Sequence, residues 1–287
     1  MILIADSGST KTIWYLTNGQ EYTIYHTKGY NPFLLSTAEI EGSLKKDLFP
    51  QLNISVDQVQ QIHFYGAGCG SVETQECVRN LLKKCFSNAL VNVHNDLLGT
   101  ARATCQNNAG LCCILGTGSN ACVFDGNQII DNTVSLGYIL GDEGSGANIG
   151  KLLIQSFFYK KLPAELTKAF EQKYKLSRGP FLTRLFKGNM PNQYLASFSL
   201  FCAEKIEHLF IQELVGQAFD SFIQEHVLPF LKKYPDLVVH FSGSVAYGYQ
   251  EILRKRLTPY NIRLGKIIKA PFPDLLDYHT TLAGQLK

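Results

Sequence analysis

Two segments of this 287-residue chain share one pattern: a β-prone run, a short turn rich in glycine and hydroxyl residues, and a second β-prone run. The two turns are Asp6-Ser7-Gly8-Ser9-Thr10-Lys11 and Leu115-Gly116-Thr117-Gly118-Ser119. Glycine permits positive φ in such turns, and successive backbone N–H groups can then converge on an anion. One such turn is weak evidence, but two of them, each opening a similar half of the chain, predict a cleft that holds a phosphate chain from both sides.

The order of strand and helix patterns also repeats along the chain. In the first half, three strands with a hairpin turn at Asn18-Gly19 precede alternating helices and strands, and the plan restarts near residue 110. The sequence therefore predicts an α/β protein of two similar halves that meet near residues 107–110. The predicted strands are residues 2–5, 13–16, 22–26, 61–65, 90–94, 111–115, 120–124, 128–131, 238–241 and 262–264, and the predicted helices are residues 36–49, 73–86, 96–105, 143–234 in several segments, 244–257 and 273–286.

The composition is that of an ordinary globular protein, with 45% hydrophobic and 18% charged residues. A net charge of +3 is too small to indicate a nucleic-acid partner. No secretory leader pattern opens the chain, and no apolar run approaches the roughly 20 residues that a membrane span needs, so we expect a cytoplasmic protein without membrane contacts. The eight cysteines, none in a C-x-x-C pair, are then predicted to be thiols, most of them small buried hydrophobes.

The first turn carries residue types that suit a metal–nucleotide complex. Asp6 ends the first strand, Ser9 and Thr10 offer hydroxyl donors, and Lys11 adds a positive charge. A carboxylate beside a phosphate pocket is useful when a cation lies between them, and Mg²⁺ bridges carboxylate, water and phosphate oxygens in this way. The Walker A pattern does not occur in the chain. An ordinary hairpin with a polar tip would explain the same residues, so this turn alone does not decide between the two.

Three further segments place polar or small residues at element ends. Asp96 follows the predicted strand 90–94, where it is either a general base or a helix N-cap. Asp142 and Glu143 lie among glycines, an arrangement that suits either close approach to sugar hydroxyls or a capped helix start. Ser242-Gly243-Ser244 joins a strand to a helix, and this junction suits either a flat or anionic ligand or a plain serine cap.

Taken in this order, the segments resemble the ATP-binding superfamily of acetate kinase, hexokinase, heat-shock chaperones and actin. Within it, nearly the whole chain is similar to the BadF/BadG/BcrA/BcrD ATPase family, and most of all to its N-acetylglucosamine kinase branch. The three most specific segments are Asp6-Ser7-Gly8-Ser9-Thr10-Lys11-Thr12, Gly116-Thr117-Gly118-Ser119-Asn120 and Gly137-Tyr138-Ile139-Leu140-Gly141-Asp142-Glu143-Gly144-Ser145. The third segment is similar to the branch's Gly-Trp…Gly-Asp-Glu-Gly-Ser motif, with Tyr138 in place of the tryptophan.

The resemblance implies a fold of two ribonuclease H-like (actin-like ATPase) domains with a central cleft. The first domain would be residues 1–108, with a C-terminal helix at about 272–287 packed back on it. The second would be residues 109–271, with a large helical insertion at about 143–234. The resemblance also implies ATP and Mg²⁺ as cofactors and an amino sugar as the substrate. Long helices such as residues 209–232 would suit a homodimer interface.

The resemblance further implies a role for each site residue. Asp6 would hold Mg²⁺ through water, and Asp96 would be the catalytic base that takes the proton from the 6-hydroxyl of the sugar. The predicted ATP contacts are Asp6, Gly8, Ser9, Thr10, Lys11, Gly116, Thr117, Gly118, Gly243, Ser244 and Tyr247. The predicted sugar contacts are Asn31, Gly68, Asp96, Thr117, Gly137, Tyr138 and Asp142.

The predicted function is phosphoryl transfer from MgATP to the 6-hydroxyl of an amino sugar, with N-acetylglucosamine the first candidate and glucosamine and N-acetylmuramic acid left open. One alternative is an ATPase activator of the 2-hydroxyacyl-CoA dehydratase type. Cys69 between Gly68 and Gly70 keeps it open, although the activators' Cys-Ala-Ala-Gly-Thr-Gly segment is missing. A second alternative is a regulator that binds ATP and a sugar without catalysis.

Overall fold

The computed structural model of the protein describes residues 1–8 and 11–285, with side chains described through residue 280. The chain divides into two compact units, one of residues 1–106 together with the segment from 271 onward, and one of residues 107–270. Each unit is built on a five-stranded sheet, and the two sheets have the same strand topology. The prediction of an α/β plan used twice is therefore confirmed.

The sheet of the first unit has the order β3-β2-β1-β4-β5. Its first three strands form an antiparallel meander, and the last two run parallel to the first. The core of this unit surrounds Trp14, whose indole N–H donates to Thr27 Oγ1 (3.0 Å). The strands are β1 (Ile2–Ser7), β2 (Lys11–Thr17), β3 (Tyr22–Lys28), β4 (Gln61–Gly66) and β5 (Leu90–Asn95).

Three helices of the first unit are α1 (Thr37–Ser43), α2 (Val72–Cys85) and α3 (Asp96–Cys105). Each begins after a polar N-cap whose side chain accepts a backbone N–H of the first turn. The prediction of a helix over residues 36–49 is confirmed in extent, although its second half is not α-helical. A π-helical turn, Leu44–Leu48, follows α1 and keeps both of its end residues buried in the core.

The sheet of the second unit has the order β10-β9-β6-β7-β8. β6 (Gly110–Leu115), β7 (Ser119–Phe124) and β8 (Ile129–Asn132) form the antiparallel meander, while β9 (Val238–Ser242) and β10 (Leu264–Ile268) run parallel to β6. The last strand lies at 264–268 and not at the predicted 262–264. It carries a register shift, and the Lys266 N–H donates to the His240 side chain at Nδ1 (3.0 Å).

The predicted helical stretch between β8 and β9 is confirmed, and a π-helical turn, Ile223–Val227, continues its longest helix. The predicted helix 244–257 is instead two helices that meet at Tyr249. The break follows from tertiary packing, because the buried Tyr249 ring lies against Phe219 and its hydroxyl donates to Ser199 O (2.6 Å). The helices are α4 (Gly137–Leu140), α5 (Gly146–Phe158), α6 (Ala164–Tyr174), α7 (Arg178–Lys187), α8 (Pro191–Ser197), α9 (Ser199–Glu204), α10 (Leu209–Phe222), α11 (Leu228–Lys233), α12 (Ser244–Gly248) and α13 (Gln250–Leu257).

Most of the cysteines are buried, as predicted. Cys77 is exposed and Cys85 is partly buried, so the two cysteines of α2 are the exceptions. In the part of the chain that the structure describes, none of the helices has both the length and the apolar character required for crossing a membrane. The buried thiols are Cys69, Cys105, Cys112, Cys113, Cys122 and Cys202.

The last helix, α14 (Asp274–Gln285), packs on α3 in the first unit. His279 on α14 shares a hydrogen bond with the Tyr65 hydroxyl (2.8 Å), and the Arg102 guanidinium donates to the same hydroxyl (2.8 Å). The ring of His63 lies 3.9 Å from that of His279. Burial, helped by the charges of His63 and Arg102, lowers the pKa of His279 to about 2. The packing of α14 therefore requires a neutral imidazole.

We predict that His279→Gln makes the first unit less sensitive to acid, because glutamine keeps a partner for Tyr65 but does not titrate. The pKa of His279 is lower in the folded protein than its ordinary value of 6.5, so the unfolded state binds more protons as the pH falls. The contribution of neutral His279 to the free energy of unfolding is therefore complete above pH 6.5. It is lost progressively as the pH falls from 6.5 toward the folded-state pKa of about 2. Between pH 7.5 and pH 5.0, the wild type should lose on the order of 1–2 kcal/mol more free energy of unfolding than the variant.

Urea unfolding followed by the fluorescence of Trp14, the only tryptophan, measures this difference in the first unit. All other titrating groups are common to the wild type and the variant, so their contributions cancel when the two proteins are compared. Equal losses in the two proteins would contradict a neutral, buried His279.

Candidate active site

In the first unit, the carboxyl ends of three parallel strands lie side by side. Ser7 at the end of β1 is in register with Gly66 on β4, and Gly66 is in register with Asn95 on β5. Asp6 and Asp96, the predicted metal ligand and catalytic base, therefore lie at the same edge of the sheet. This edge is where open α/β sheets bind their ligands.

The two carboxylates share one electrostatic environment. Burial, followed by the negative charge of Asp96, raises the pKa of Asp6 to about 6, although the Lys11 ammonium partly opposes the rise. Burial also raises the pKa of Asp96. Two buried, mutually repelling carboxylates are stabilised by a divalent cation, and their oxygens are ligands that Mg²⁺ accepts. The donor set at this edge thus fits the predicted metal.

Asp96 is not the N-cap of α3, which was the structural alternative for this residue. Asn95 holds that position, and its side-chain Oδ1 accepts the Leu98 N–H (2.8 Å). Asp96 occupies the first helical position, so its carboxylate is not needed to cap the helix.

Ser7, to which the sequence analysis assigned no separate role, ties the surrounding loops to β1. Its Oγ accepts the Tyr30 N–H (3.0 Å) and shares a hydrogen bond with Thr12 Oγ1 (2.7 Å). Its carbonyl accepts the Ala67 N–H (2.7 Å). The loops after β3 and β4 are thereby fixed beside Asp6.

The predicted sugar residues Asn31 and Gly68 are in contact. Gly68 has a φ of +84°, and a Cβ added to it would lie 2.3 Å from Asn31 Oδ1. The same Oδ1 accepts the Phe33 N–H (2.9 Å), which orients the amide. Gly68 is therefore required both for its backbone conformation and for the close approach of Asn31.

The predicted phosphate turn of the first unit follows β1. The Gly8 N–H donates to Lys11 O (2.9 Å) in this turn, and Ser9 and Thr10 lie outside the described residues.

In the second unit, the loop Gly116-Thr117-Gly118 connects β6 to β7. The first N–H groups of α5 hold two of its carbonyls, since Gly146 donates to Gly116 O (2.8 Å) and Ala147 donates to Thr117 O (3.1 Å). The φ of Gly116 and that of Gly118 both lie outside the left-handed region. The expected positive φ is thus not why these positions are glycine. At Gly118 the reason is space, because an added Cβ would lie 3.0 Å from both carboxylate oxygens of Asp142.

Gly243, predicted to lie against the nucleoside, packs on the start of this loop. Its φ is +118°, and an added Cβ would lie 2.2 Å from Leu115 O and 3.2 Å from the Gly116 nitrogen. Ser244 begins α12. Tyr247 on that helix has an exposed ring, and its backbone N–H donates to Gly243 O (3.0 Å). The predicted phosphate and nucleoside residues of this unit therefore form one contiguous surface.

Asp142 lies directly beside the loop. Its Oδ1 accepts the Ser119 N–H (3.1 Å), and its backbone has a φ of +60°. Burial, together with the negative charge of Glu143, raises the pKa of Asp142. Gly137 and Tyr138 begin the short helix α4, and the Gly141 N–H donates back to Gly137 O (2.8 Å).

A cavity of about 600 Å³ adjoins Asp142. Its polar wall includes Ser119, Glu143 and His226, and His226 Nε2 lies 2.8 Å from Glu143 Oε2. Its rim is apolar and exposed, at Val134, Leu136 and Leu140. His226 was not predicted from the sequence, because its contact with Glu143 joins residues 83 positions apart and no local pattern marks it.

Cys69, which kept the activator alternative open, is fully buried. Burial raises the pKa of its thiol to about 12, so it is protonated at neutral pH. Its sulfur fills space beside β4, since a Cβ added to Gly66 would lie 2.9 Å from Cys69 Sγ. In the structure it is a packing residue of the first unit.

Two units of one topology, each with candidate ligand residues at its strand ends, define the actin-like ATPase fold of sugar kinases. Solved structures of low sequence identity share this fold. A putative N-acetylglucosamine kinase from Chromobacterium violaceum is 16% identical, with a TM-score of 0.71 over 96% of this chain and 98% of that chain. A ROK family glucokinase from Streptomyces griseus, in complex with glucose and AMPPNP, is 12% identical, with a TM-score of 0.55 over 99% of each chain.

A putative N-acetylglucosamine kinase from Porphyromonas gingivalis is much more similar. It is 38% identical to this chain, with a TM-score of 0.92, and the match covers 98% of this chain and 99% of that chain. The protein therefore belongs to this family, the N-acetylglucosamine kinase-like branch of the acetate and sugar kinase, heat-shock chaperone and actin superfamily. No protein-family model matches the chain, and neither does any curated protein.

Proposed function

We propose that the protein is an ATP-dependent kinase that phosphorylates the 6-hydroxyl of an amino sugar, with N-acetylglucosamine as the preferred acceptor. The observation that carries the proposal is the contact between Gly118 of the predicted phosphate loop and the carboxylate of Asp142, the predicted sugar ligand. It supports a site in which nucleotide and sugar are held next to each other. The family relationship supports the same reaction class.

The proposed nucleotide contacts are the residues that the sequence predicted for ATP. In the first unit they are Asp6, Gly8 and Lys11, together with Ser9 and Thr10, whose placement the structure does not describe. The loop Gly116-Thr117-Gly118 binds phosphate oxygens in the second unit, and Gly243, Ser244 and Tyr247 lie against the nucleoside. A bound adenine nucleotide analogue in the Streptomyces griseus glucokinase supports this choice of donor.

Asp96 is the general base of the proposed reaction. It accepts the proton of the sugar 6-hydroxyl while that oxygen bonds to the γ-phosphorus and the bond to ADP breaks. Its raised pKa gives the carboxylate a higher proton affinity than an ordinary aspartate has, which favours this transfer. Mg²⁺, when held near Asp6, neutralises charge on the phosphates. Positioning and charge neutralisation supply most of the catalysis in such transfers.

The proposed sugar contacts are mostly polar groups. Asn31 and Gly68 present one set of groups, and Asp142 presents a carboxylate suited to a pair of sugar hydroxyls. Gly137, Tyr138 and Thr117 complete the proposed contacts. The apolar rim of the neighbouring cavity suits an acceptor that carries an acyl group as well as hydroxyls.

A coupled assay of ADP release across a panel of sugars tests the proposal. We expect N-acetylglucosamine to stimulate ADP release well above the rate with ATP alone, and above the rates with glucosamine, N-acetylmuramic acid and glucose. Omitting Mg²⁺ should remove the stimulation. If no amino sugar in the panel stimulates ADP release, the proposed function is wrong.

A further inference from the structure

Asp142 lies in a backbone conformation that its neighbours must hold in place. Its φ of +60° is in the left-handed region, which is unfavourable for a residue with a side chain, and Gly144 two residues later has a φ of +70°. Such a conformation persists only when the surrounding structure fixes it. The residues that fix this segment therefore determine where the Asp142 carboxylate points.

One helical segment of the second unit fixes the two residues that follow Asp142. Phe222 ends α10, and His226 lies four residues on, in the π-helical turn, with ring centroids 5.0 Å apart. Phe222 lies against Gly144, since a Cβ added there would be 2.9 Å from Phe222 Cβ. His226 Nε2 lies 2.8 Å from Glu143 Oε2. Phe222 and His226 thus hold Gly144 and Glu143 from the same side.

The π-helical turn, Ile223–Val227, is what brings His226 to this position. A π turn accommodates one extra residue in the helix, and such turns occur frequently at functional sites. Both end residues of the turn, Ile223 and Val227, are fully buried, so the turn is anchored in the core. His226 is itself mostly buried, with 17% of its side chain exposed.

The position of the Asp142 carboxylate then follows from these contacts. On one side, Asp142 is followed in the chain by Glu143, whose carboxylate is hydrogen-bonded to His226. On the other side, its Oδ1 accepts the Ser119 N–H next to the phosphate loop. We propose that His226 is a positioning residue for the acceptor sugar, acting through its hydrogen bond to Glu143 to orient the Asp142 carboxylate. This inference rests on the proposed function, which assigns Asp142 to the sugar.

The hydrogen bond also defines the form of histidine that is required. An N–H at Nε2 donates to the Glu143 carboxylate, which leaves Nδ1 as an acceptor in the neutral ring. Nδ1 is buried and has no hydrogen-bond partner among the described residues. The function assigned to His226 therefore depends on one donor atom, which a different side chain could supply.

Kinetic analysis of His226→Leu and His226→Gln tests the proposal. Glutamine places an N–H donor at Nε2, the same number of bonds from Cα as histidine does, whereas leucine provides none. We expect the leucine variant to raise the KM for the sugar roughly tenfold, in line with loss of a hydrogen bond to a charged group, with kcat and the KM for ATP within about twofold of wild type. The glutamine variant should restore most of the sugar affinity.

The chain provides a matched control in Glu165→Leu. Glu165 Oε1 lies 3.0 Å from His208 Nε2, so this variant removes the same kind of pair in the same unit and keeps the His208 side chain, which caps α10. This control should leave every kinetic constant at its wild-type value. In addition, the double variant His226→Leu with Glu143→Gln should be no worse for the sugar KM than His226→Leu alone if the two residues act in series.

An unchanged sugar KM in His226→Leu would overturn the inference, and so would equal changes in the sugar KM, the ATP KM and kcat. If that variant is too unstable to assay, Glu143→Leu decides, because leucine has no acceptor for the His226 N–H: a raised sugar KM supports the inference and a wild-type value overturns it. Absence of sugar-stimulated ADP release in the wild type itself would instead refute the proposed function. The two failures are thus distinguishable in one experiment.

Discussion

Replacing Asp96 with asparagine is expected to lower kcat for sugar phosphorylation about 10²–10⁴-fold, because the amide cannot accept the proton of the 6-hydroxyl. The amide keeps the size and shape of the carboxylate, so the KM for ATP should change little. Steady-state kinetics with ATP and N-acetylglucosamine measure the loss, and calorimetric titration with nucleotide checks that binding persists.

The stability of this variant separates lost chemistry from lost structure. Burial and the charge of Asp96 raise the pKa of Asp6, so the two carboxylates repel each other in the folded protein. Removing the charge at position 96 should therefore leave the free energy of unfolding unchanged or raise it. Turnover within about threefold of wild type in a stable D96N protein would show that Asp96 is not the base.

Replacing Gly243 with alanine is expected to disturb both the fold of the second unit and the nucleotide site. The φ of +118° is a conformation that is almost confined to glycine, and the added Cβ would lie 2.2 Å from Leu115 O. We expect a loss of about 2–4 kcal/mol in the free energy of unfolding. Because Leu115 leads into the loop at Gly116, the KM for ATP should rise at least about tenfold.

Gly248→Ala is the matched control for this prediction. It lies five residues away at the end of α12, and an added Cβ would meet nothing within 4 Å. Thermal unfolding followed by circular dichroism and the ATP dependence of turnover should both separate the two alanine variants. If Gly243→Ala behaved like Gly248→Ala in both measurements, the close contact between Gly243 and the phosphate loop would be wrong.

The parts of the site that sequence reasoning predicted are those determined by local chemistry. Turns such as Asp6 to Lys11 contain their own signal, since glycine and hydroxyl residues between two β-prone runs specify a hairpin whatever lies around it. Asp96 was located because a strand pattern ends just before it. The repeat of strand order then showed that the two turns occupy equivalent places, which the common sheet topology confirms.

The parts that were missed depend on contacts between distant residues. The predicted helix 244–257 breaks at Tyr249 because the buried ring and its bond to Ser199 O override the local helical preference. The hydrogen bond between His226 and Glu143 joins residues from different elements, and neither has a sequence context that marks it. The glycine at 118 was predicted for its backbone freedom, but it is required for the proximity of Asp142.

In the proposed reaction, the γ-phosphate of ATP is transferred to the 6-hydroxyl of an amino sugar. Phosphorus NMR of a reaction with MgATP and N-acetylglucosamine, run beside the same reaction with the 6-deoxy sugar, distinguishes this transfer from hydrolysis of ATP and from transfer to another hydroxyl. We predict a new phosphomonoester signal coupled to the C6 protons with N-acetylglucosamine, and only ATP with the 6-deoxy sugar. Inorganic phosphate as the sole product in both reactions, or a phosphorylated 6-deoxy sugar, would contradict the claim.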